Sequence, residues 1–341
     1  MLTRAYCSYF DHNYLPRGLA LYHSLQRHSP GSRFWVLCLS EVCYRTLIAL
    51  ALPGLIPLRL ADIEAADPEL AATRSTRSLI EYYFTCTPAW MLFVLNKETD
   101  AEWVTYLDSD LFFFASPDPI YGEMKDAAFG IIPHRFTKRA ASHRRFGIYN
   151  VGWVSVRRRD DGIAALRWWR ERCIEWCYDR VEGDRFADQR YLDRLPGLFA
   201  GIHVIKHLGA NLAPWNIAGY RIEWRDGSVQ IEGRYPLLFF HFYGVKRNGR
   251  HYFNSHRLYH APFSRLVRQR IYEPYITVLA AAESTATSHI EDSSNATIRK
   301  PAVGNRWDHV SNSLRKVRAT VNRGLDIVTR RTIAAPDVPI R

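Results

Sequence analysis

The eleven residues from Val104 to Phe114, VTYLDSDLFFF, are apolar and β-prone except at Asp108, Ser109 and Asp110. A strand with one solvated face alternates apolar and polar residues. A run apolar on both faces belongs to a strand covered on both sides, as in the middle of an α/β sheet. Two carboxylates one residue apart are rarely left in such a run unless a cation holds them. They belong at the strand's C-terminal end, facing the crevice where open α/β sheets bind ligands. One Asp can bind a hard divalent ion directly and the other directly or through water, while a diphosphate fills the remaining oxygen positions. In the competing reading Asp110 only caps the following turn.

The preceding hundred residues fit such a sheet. Strand patterns at Arg4–Phe10, Arg33–Leu39 and Leu55–Leu60 alternate with helical patterns at Pro16–His28 and Val42–Leu52, as in a doubly wound fold. Thr76–Leu95 reads as a helix in two pieces broken by Pro88. Beyond the carboxylates come a turn at Ser116–Pro119, a strand near Ala127–Pro133 and a basic loop with Lys138, Arg139, His143, Arg144 and Arg145. A strand at Ile148–Val156 and a helix at Ile163–Tyr178 follow.

At 341 residues, with 47% apolar and 13% aromatic side chains, the chain can bury a large core. No stretch approaches the roughly 18 apolar residues of a spanning helix, and the N-terminus has no signal-peptide core. The expectation is a cytosolic chain, soluble or peripheral at the inner face of the plasma membrane. The six cysteines form no C-x-x-C pair and read as reduced core residues. A formal net charge of +12 asks for an anionic partner. Thr285–Arg341 holds ten Lys/Arg and five Asp/Glu, a net of +5. Ser284–Gly304 has linker composition, and Trp307–Arg331 carries the pattern of a basic amphipathic helix, suited to an anionic membrane surface or to the protein's own body.

An ordered series of motifs over roughly residues 3 to 250 resembles the nucleotide-sugar glycosyltransferases of the GT-A fold, and within them glycosyltransferase family 8. The series is Tyr9-Phe10-Asp11-His12-Asn13-Tyr14, Arg77, the Asp108/Asp110 pair, Tyr149-Asn150-Val151-Gly152-Trp153, Asp188-Gln189, Pro214-Trp215-Asn216 and His241-Phe242-Tyr243-Gly244 with Lys246. The resemblance implies a Rossmann-like mixed sheet flanked by helices over residues 1–283. Its nucleotide-binding half is 1–115 and its donor-sugar and acceptor half 116–283; the linker and basic tail occupy 284–341. It implies a metal held by Asp108, Asp110 and His241, and donor contacts from Tyr9, Asp11, Asn13, Arg77, Asn150, Asn216, Gly244 and Lys246. Asp188 would hold sugar hydroxyls, and Gln189 would lie beneath the anomeric carbon. Two departures leave choices open. Lys246 follows Gly244 by two residues rather than three, so Arg247 competes with it, and His207 competes with His241.

Carboxylate with imidazole suits Mn²⁺ somewhat better than Mg²⁺. The expected activity is metal-dependent sugar transfer from a nucleoside diphosphate sugar, UDP-linked by resemblance, with retention. The acceptor would be a glycan or lipid-linked molecule in bacterial surface polysaccharide or lipopolysaccharide synthesis. Gly147 and Gly152 fit close backbone approach to a ligand. A nucleotidyltransferase would need a Gly-rich phosphate loop after the first strand, and none is present. A non-catalytic binder of membrane surfaces or nucleic acid accounts for the charge but not for these motifs, and nucleic acid is not an expected partner.

Overall fold

Strand Arg4–Phe10 (β1) is followed by helix Leu15–His28 (α1), strand Arg33–Cys38 (β2), helix Glu41–Leu50 (α2) and strand Leu55–Arg59 (β3). This is the alternation read from the sequence. The computed structural model describes residues 3–293 and 332–336. Short helices Leu60–Ala66 (α3) and Pro68–Thr73 (α4) lead to the long helix Leu79–Lys97 (α5), then to strands Trp103–Leu107 (β4) and Leu111–Phe113 (β5). Next come helix Asp118–Glu123 (α6), strands Phe129–Pro133 (β6) and Tyr149–Arg157 (β7), helices Asp160–Glu175 (α7) and Leu195–Leu198 (α8), and strand Ile202–Val204 (β8). The main sheet has seven strands in the order β3-β2-β1-β4-β7-β6-β8. β1 to β4 run parallel, and β7 is antiparallel to β4 and to β6. The architecture is a mixed α/β sheet with helices on its faces.

α5 is one helix, not two pieces. Pro88 costs the interior of a helix about 3 kcal/mol. α5 buries Tyr82, Cys86, Ala89, Trp90, Met91, Val94 and Leu95 in the core beneath the sheet, and each large side chain buried there returns about 1.5–3 kcal/mol. Ser78 and Glu81 start the helix as a reciprocal capping box, which satisfies two free amides of its first turn.

The run from Val104 to Phe114 is not one strand either. β4 is buried at all five positions and stops at Leu107. Asp108, Ser109 and Asp110 make a turn closed by Leu111 N–H donating to the Asp108 carbonyl at 3.2 Å. β5 then leaves the main sheet and pairs antiparallel with Phe239–His241 (β12), with His241 opposite Leu111. A buried strand cannot continue through two charges without partners for them; here the chain turns and brings them to the edge.

Strands Ile222–Arg225 (β9), Ser228–Ile231 (β10) and Tyr235–Pro236 (β11) form a small antiparallel sheet before β12. Lys246–Asn248 (β13), His251–Phe253 (β14) and Ile333–Ala334 (β15) form another, with helices Arg265–Val267 (α9) and Glu273–Ser293 (α10) lying between them in the chain. The first ten residues of the expected linker thus belong to α10. Ala280, Ala282 and Ala286 are buried there, and Thr285 and Thr287 hydroxyls donate back to the carbonyls of Ala281 and Glu283. Alanine is the best helix former, so a Ser/Thr/Ala composition does not by itself mean a linker. The amphipathic pattern at 307–331 lies outside the described residues. Among the described residues no helix is long and apolar enough to cross a membrane, and all six cysteines are buried and free.

Candidate functional site

Asp108 and Asp110 sit in the turn after β4, at the C-terminal end of the parallel strands. The β5–β12 pairing brings His241 to them: its Nε2 lies 2.9 Å from Asp110 Oδ1 and 3.7 Å from Asp108 Oδ2. One ligand atom from each of the three residues lies within 4.8 Å of the others, a spacing that one cation can bridge. Phe242 N–H donates to the Asp110 carbonyl at 2.9 Å, which locks the two segments in register. Asn150 Oδ1 lies 3.2 Å from His241 Nδ1. That contact directs the Nδ1 proton at Asn150, so Nε2, on giving up the proton it shares with the carboxylates, would offer its lone pair to a cation, the usual support for a metal-bound imidazole. Tyr106 O–H donates to Asp108 Oδ1 at 3.0 Å.

The electrostatics of the cluster favour a positive charge beside the two carboxylates. Burial pushes Asp108 up to about 6, with the neighbouring Asp110 adding to the rise and His241 opposing it. Burial also works against ionised Asp110, but His241 outweighs it and holds that carboxyl below its usual range. His241 is lowered by burial and raised more by Asp110 and Asp108. A divalent cation would take over the compensation that the histidine proton supplies to two close carboxylates. The donor set, two carboxylates and one imidazole, fits Mn²⁺ or Mg²⁺. His207 is not part of it: its Nδ1 accepts from Gly209 N–H at 3.2 Å.

The two glycines flanking Asn150 face protein rather than ligand. A Cβ on Gly152 would lie 2.5 Å from Asn150 Oδ1 and 2.9 Å from the His241 ring, so only glycine leaves room for that pair. A Cβ on Gly147, at φ +127°, would sit 3.3 Å from Gln189 Cγ. A register shift between β6 and β7 places Ile131 opposite Val154 but Ile132 opposite Asn150. The bulge turns this stretch of β7 toward His241, a common device beside functional sites.

Asp188 lies at the head of the 3-10 turn Gln189–Arg194, and its carbonyl accepts from Trp169 Nε1–H at 2.8 Å. Burial raises its carboxyl to about 7, with the Thr87 hydroxyl opposing and Asp108 adding to the rise. Thr87 Oγ1 also lies within hydrogen-bond distance, 3.3 Å, of Tyr9 Oη, and the Tyr9 ring packs 5.5 Å from Tyr106. Tyr9, Thr87 and Tyr106 thus connect Asp108 to Asp188. Gln189 Nε2–H donates to the Phe146 carbonyl at 2.9 Å, leaving Oε1 as the free end of the amide.

Other expected contacts are engaged elsewhere. Asn216 is fully buried: its Oδ1 accepts from Ala213 N–H, and its Nδ2 donates to the carbonyls of His134 and Asn211, each at 2.9 Å. Its amide holds the loop together and has no donor left. Arg77 donates to Tyr178 O–H and to the Ile174 and Glu175 carbonyls, closing the C-terminal end of α7. Asp11 accepts from the backbone and side chain of Asn13 and from Tyr14 N–H, which shapes the entry to α1. Arg247 is bound to Glu283 at 2.7 Å, whereas Lys246 is exposed on β13 just after Gly244, which has φ +76°.

Sequence reasoning missed Arg17, Thr87 and Tyr106. Arg17 Nη2 donates to the Val245 carbonyl at 2.8 Å, and its charge helps lower Asp110. Its place one residue past Pro16 at a helix start was the available signal; Thr87 and Tyr106 sat in apolar runs that read as core.

No family model matches the chain. Two proteins of Bacillus subtilis (strain 168) do: the uncharacterized protein YfnD, 34% identical over 288 residues, covering 84% of this chain and 91% of YfnD, and the uncharacterized protein YfnF, 34% identical over 253 residues, covering 72% and 82%. Among solved structures, the galactosyltransferase LgtC bound to donor and acceptor sugar analogs is similar at 18% identity and a TM-score of 0.46, over 81% of this chain and 95% of that one.

Proposed function

We propose that this chain, which belongs to one family with YfnD and YfnF, is a metal-dependent glycosyltransferase that moves a sugar from a nucleoside diphosphate, UDP by resemblance, to a hydroxyl acceptor. The observation that carries the reading is the convergence of Asp108, Asp110 and His241 within 4.8 Å at the end of the parallel strands, with Asp188 linked to it through Thr87, Tyr9 and Tyr106. A basic binder without catalysis has no use for an oriented imidazole among carboxylates.

Asp108, Asp110 and His241 would hold a divalent ion, which would supply Lewis-acid stabilisation of the leaving diphosphate. Arg17 and Lys246, on either side of Val245, add fixed positive charge where that diphosphate departs. Asp188 accepts hydrogen bonds from sugar hydroxyls and fixes the ring, a positional gain rather than a chemical one. Gln189 is held through its nitrogen, so its carbonyl dipole is preset toward positive charge developing at the anomeric carbon. In retaining transfer the bond from that carbon to the diphosphate oxygen breaks while the acceptor oxygen bonds on the same face. The acceptor proton passes to the departing phosphate. The acceptor is a glycan or lipid-linked molecule, reached from the cytosolic side.

Calorimetry against UDP, GDP and CMP with and without Mn²⁺ tests the reading, repeated on Asp110→Ala. Mn²⁺-dependent binding of one nucleotide, lost in the variant, is expected. If none of the three binds under either condition, the reading is wrong.

A further inference from the structure

Residues 134–148, between β6 and β7, contain no carboxylate, while Lys138, Arg139, Arg144 and Arg145 lie within eight residues of one another. All four are exposed on the 3-10 segment Lys138–Phe146. Among the described residues none of them forms an ion pair. Arginines elsewhere on the surface do: Arg45 and Arg59 share Glu41, Arg170 holds Asp67 and Glu69, and Arg247 holds Glu283. Like charges left unbalanced this close together repel, and they raise the local positive potential. Apolar contacts hold the segment in place instead. Ala140 is buried beneath it, the His143 ring packs 5.1 Å from Tyr259, and the Arg145 guanidinium lies 4.6 Å over Phe146.

Both ends of the segment are anchored in the site. At one end Thr137 N–H donates to the Trp215 carbonyl at 3.3 Å, and the Trp215 ring is 5.0 Å from that of His241. At the other end the Phe146 carbonyl receives Gln189 Nε2–H at 2.9 Å, and the Arg145 carbonyl receives Arg190 Nη1–H at 2.9 Å. The basic segment therefore runs along the rim from the metal-side histidine to Gln189. The cations suited to the leaving diphosphate, Arg17 and Lys246, lie on α1 and β13. The rim charges are additional to those and lie next to the residue that faces the anomeric carbon.

We propose that Lys138, Arg139, Arg144 and Arg145 bind phosphate carried by the acceptor, so the acceptor is a phosphate-bearing glycan or lipid. The assignment rests on the glycosyltransferase reading. Arginine matches phosphate oxygens with paired N–H donors, and a row of such cations can read a charged group without fixing the sugar.

The test compares the full chain with a variant carrying Lys138→Gln, Arg139→Gln, Arg144→Gln and Arg145→Gln, and with a control carrying Arg27→Gln, Arg45→Gln, Arg225→Gln and Arg234→Gln. Each is titrated with inorganic pyrophosphate in EDTA by calorimetry, and sedimented with phosphatidylglycerol-containing vesicles against pure phosphatidylcholine vesicles. Wild type should bind at least one probe, more weakly as salt rises. The rim variant should lose about tenfold or more, and the control should lose little. Loss with vesicles alone identifies a lipid phosphate, and loss with pyrophosphate alone a phosphate on a soluble glycan; either supports the proposal. Wild type binding neither probe, the rim variant binding as wild type, or the control losing as much, overturns it. Mn²⁺-dependent UDP binding, measured on the same proteins, should survive in the rim variant. Its absence in wild type would overturn the glycosyltransferase reading, and the acceptor assignment with it, whatever the anion arms return.

Discussion

Replacing Asp188 with asparagine should stabilise the protein at alkaline pH while damaging its use of the sugar. The carboxyl of Asp188 is 4% exposed, and burial moves it from an ordinary value of 3.8 to about 7. An acid whose folded value lies above its unfolded value holds extra protons in the folded state between the two. Stability is therefore lost as pH rises through that interval and is level above it. The full interval corresponds to about 4 kcal/mol, at 1.36 kcal/mol per decade. From about pH 5 to about pH 8 the wild type should lose about 3 kcal/mol more than Asp188→Asn, because asparagine keeps the shape without the charge. For a chain of this size that is a melting difference of roughly 4 °C. Urea denaturation of both proteins at the two pH values reads the double difference, in which groups not coupled to Asp188 cancel; Asp108, which titrates at about 6 and helps to raise Asp188, contributes to it. Parallel loss of stability in the two proteins would refute the account of Asp188 as a buried, costly charge. Mn²⁺-dependent UDP binding should persist in the variant, since the proposed function gives Asp188 the sugar hydroxyls and not the nucleotide.

Gly152→Ala puts a methyl 2.5 Å from Asn150 Oδ1. It should reduce Mn²⁺-dependent UDP binding by about tenfold or more, because disturbing the support of a metal-bound imidazole costs 10- to 100-fold; unchanged binding by calorimetry, in a variant with wild-type circular dichroism, would contradict this. Tyr106→Phe removes the donor to Asp108 Oδ1 and should weaken Mn²⁺ by several-fold, with paramagnetic relaxation of water as the readout. Arg17→Gln should lower affinity for UDP by about tenfold and for uridine hardly at all, since a charge beside the diphosphate does not touch the base; equal losses for both ligands would assign Arg17 to loop structure alone.

The sheet and the carboxylate pair were legible before the structure because burial on two faces leaves its mark in the residues themselves. The positions of β1, β2, β3 and β7 follow from apolar runs of strand length, and the break in the apolar run at Asp108 marks the edge. Pro88 misled because a local penalty of about 3 kcal/mol says nothing about the core that outweighs it. Ser284–Ser293 misled for a similar reason: small residues serve equally in a linker and in a helix that packs closely.

The choice between His241 and His207, which the family resemblance made in favour of His241, does not follow from spacing along the chain. The antiparallel register of β5 and β12 decided it by setting His241 opposite Leu111, beside Asp110. Asn216, Arg77 and Asp11 show the opposite limit. Their residue types suit ligand contacts, yet their hydrogen bonds are directed into the fold, and only the positions of distant carbonyls and amides reveal that. Sequence alone determined the covered sheet, the paired carboxylates at its edge and the surplus of positive charge, because these follow from composition and spacing along the chain. Tertiary structure alone decided which imidazole meets the carboxylates, how Asn150 orients it, and that Lys138–Arg145 borders Gln189, because each of these depends on a contact between segments far apart in sequence.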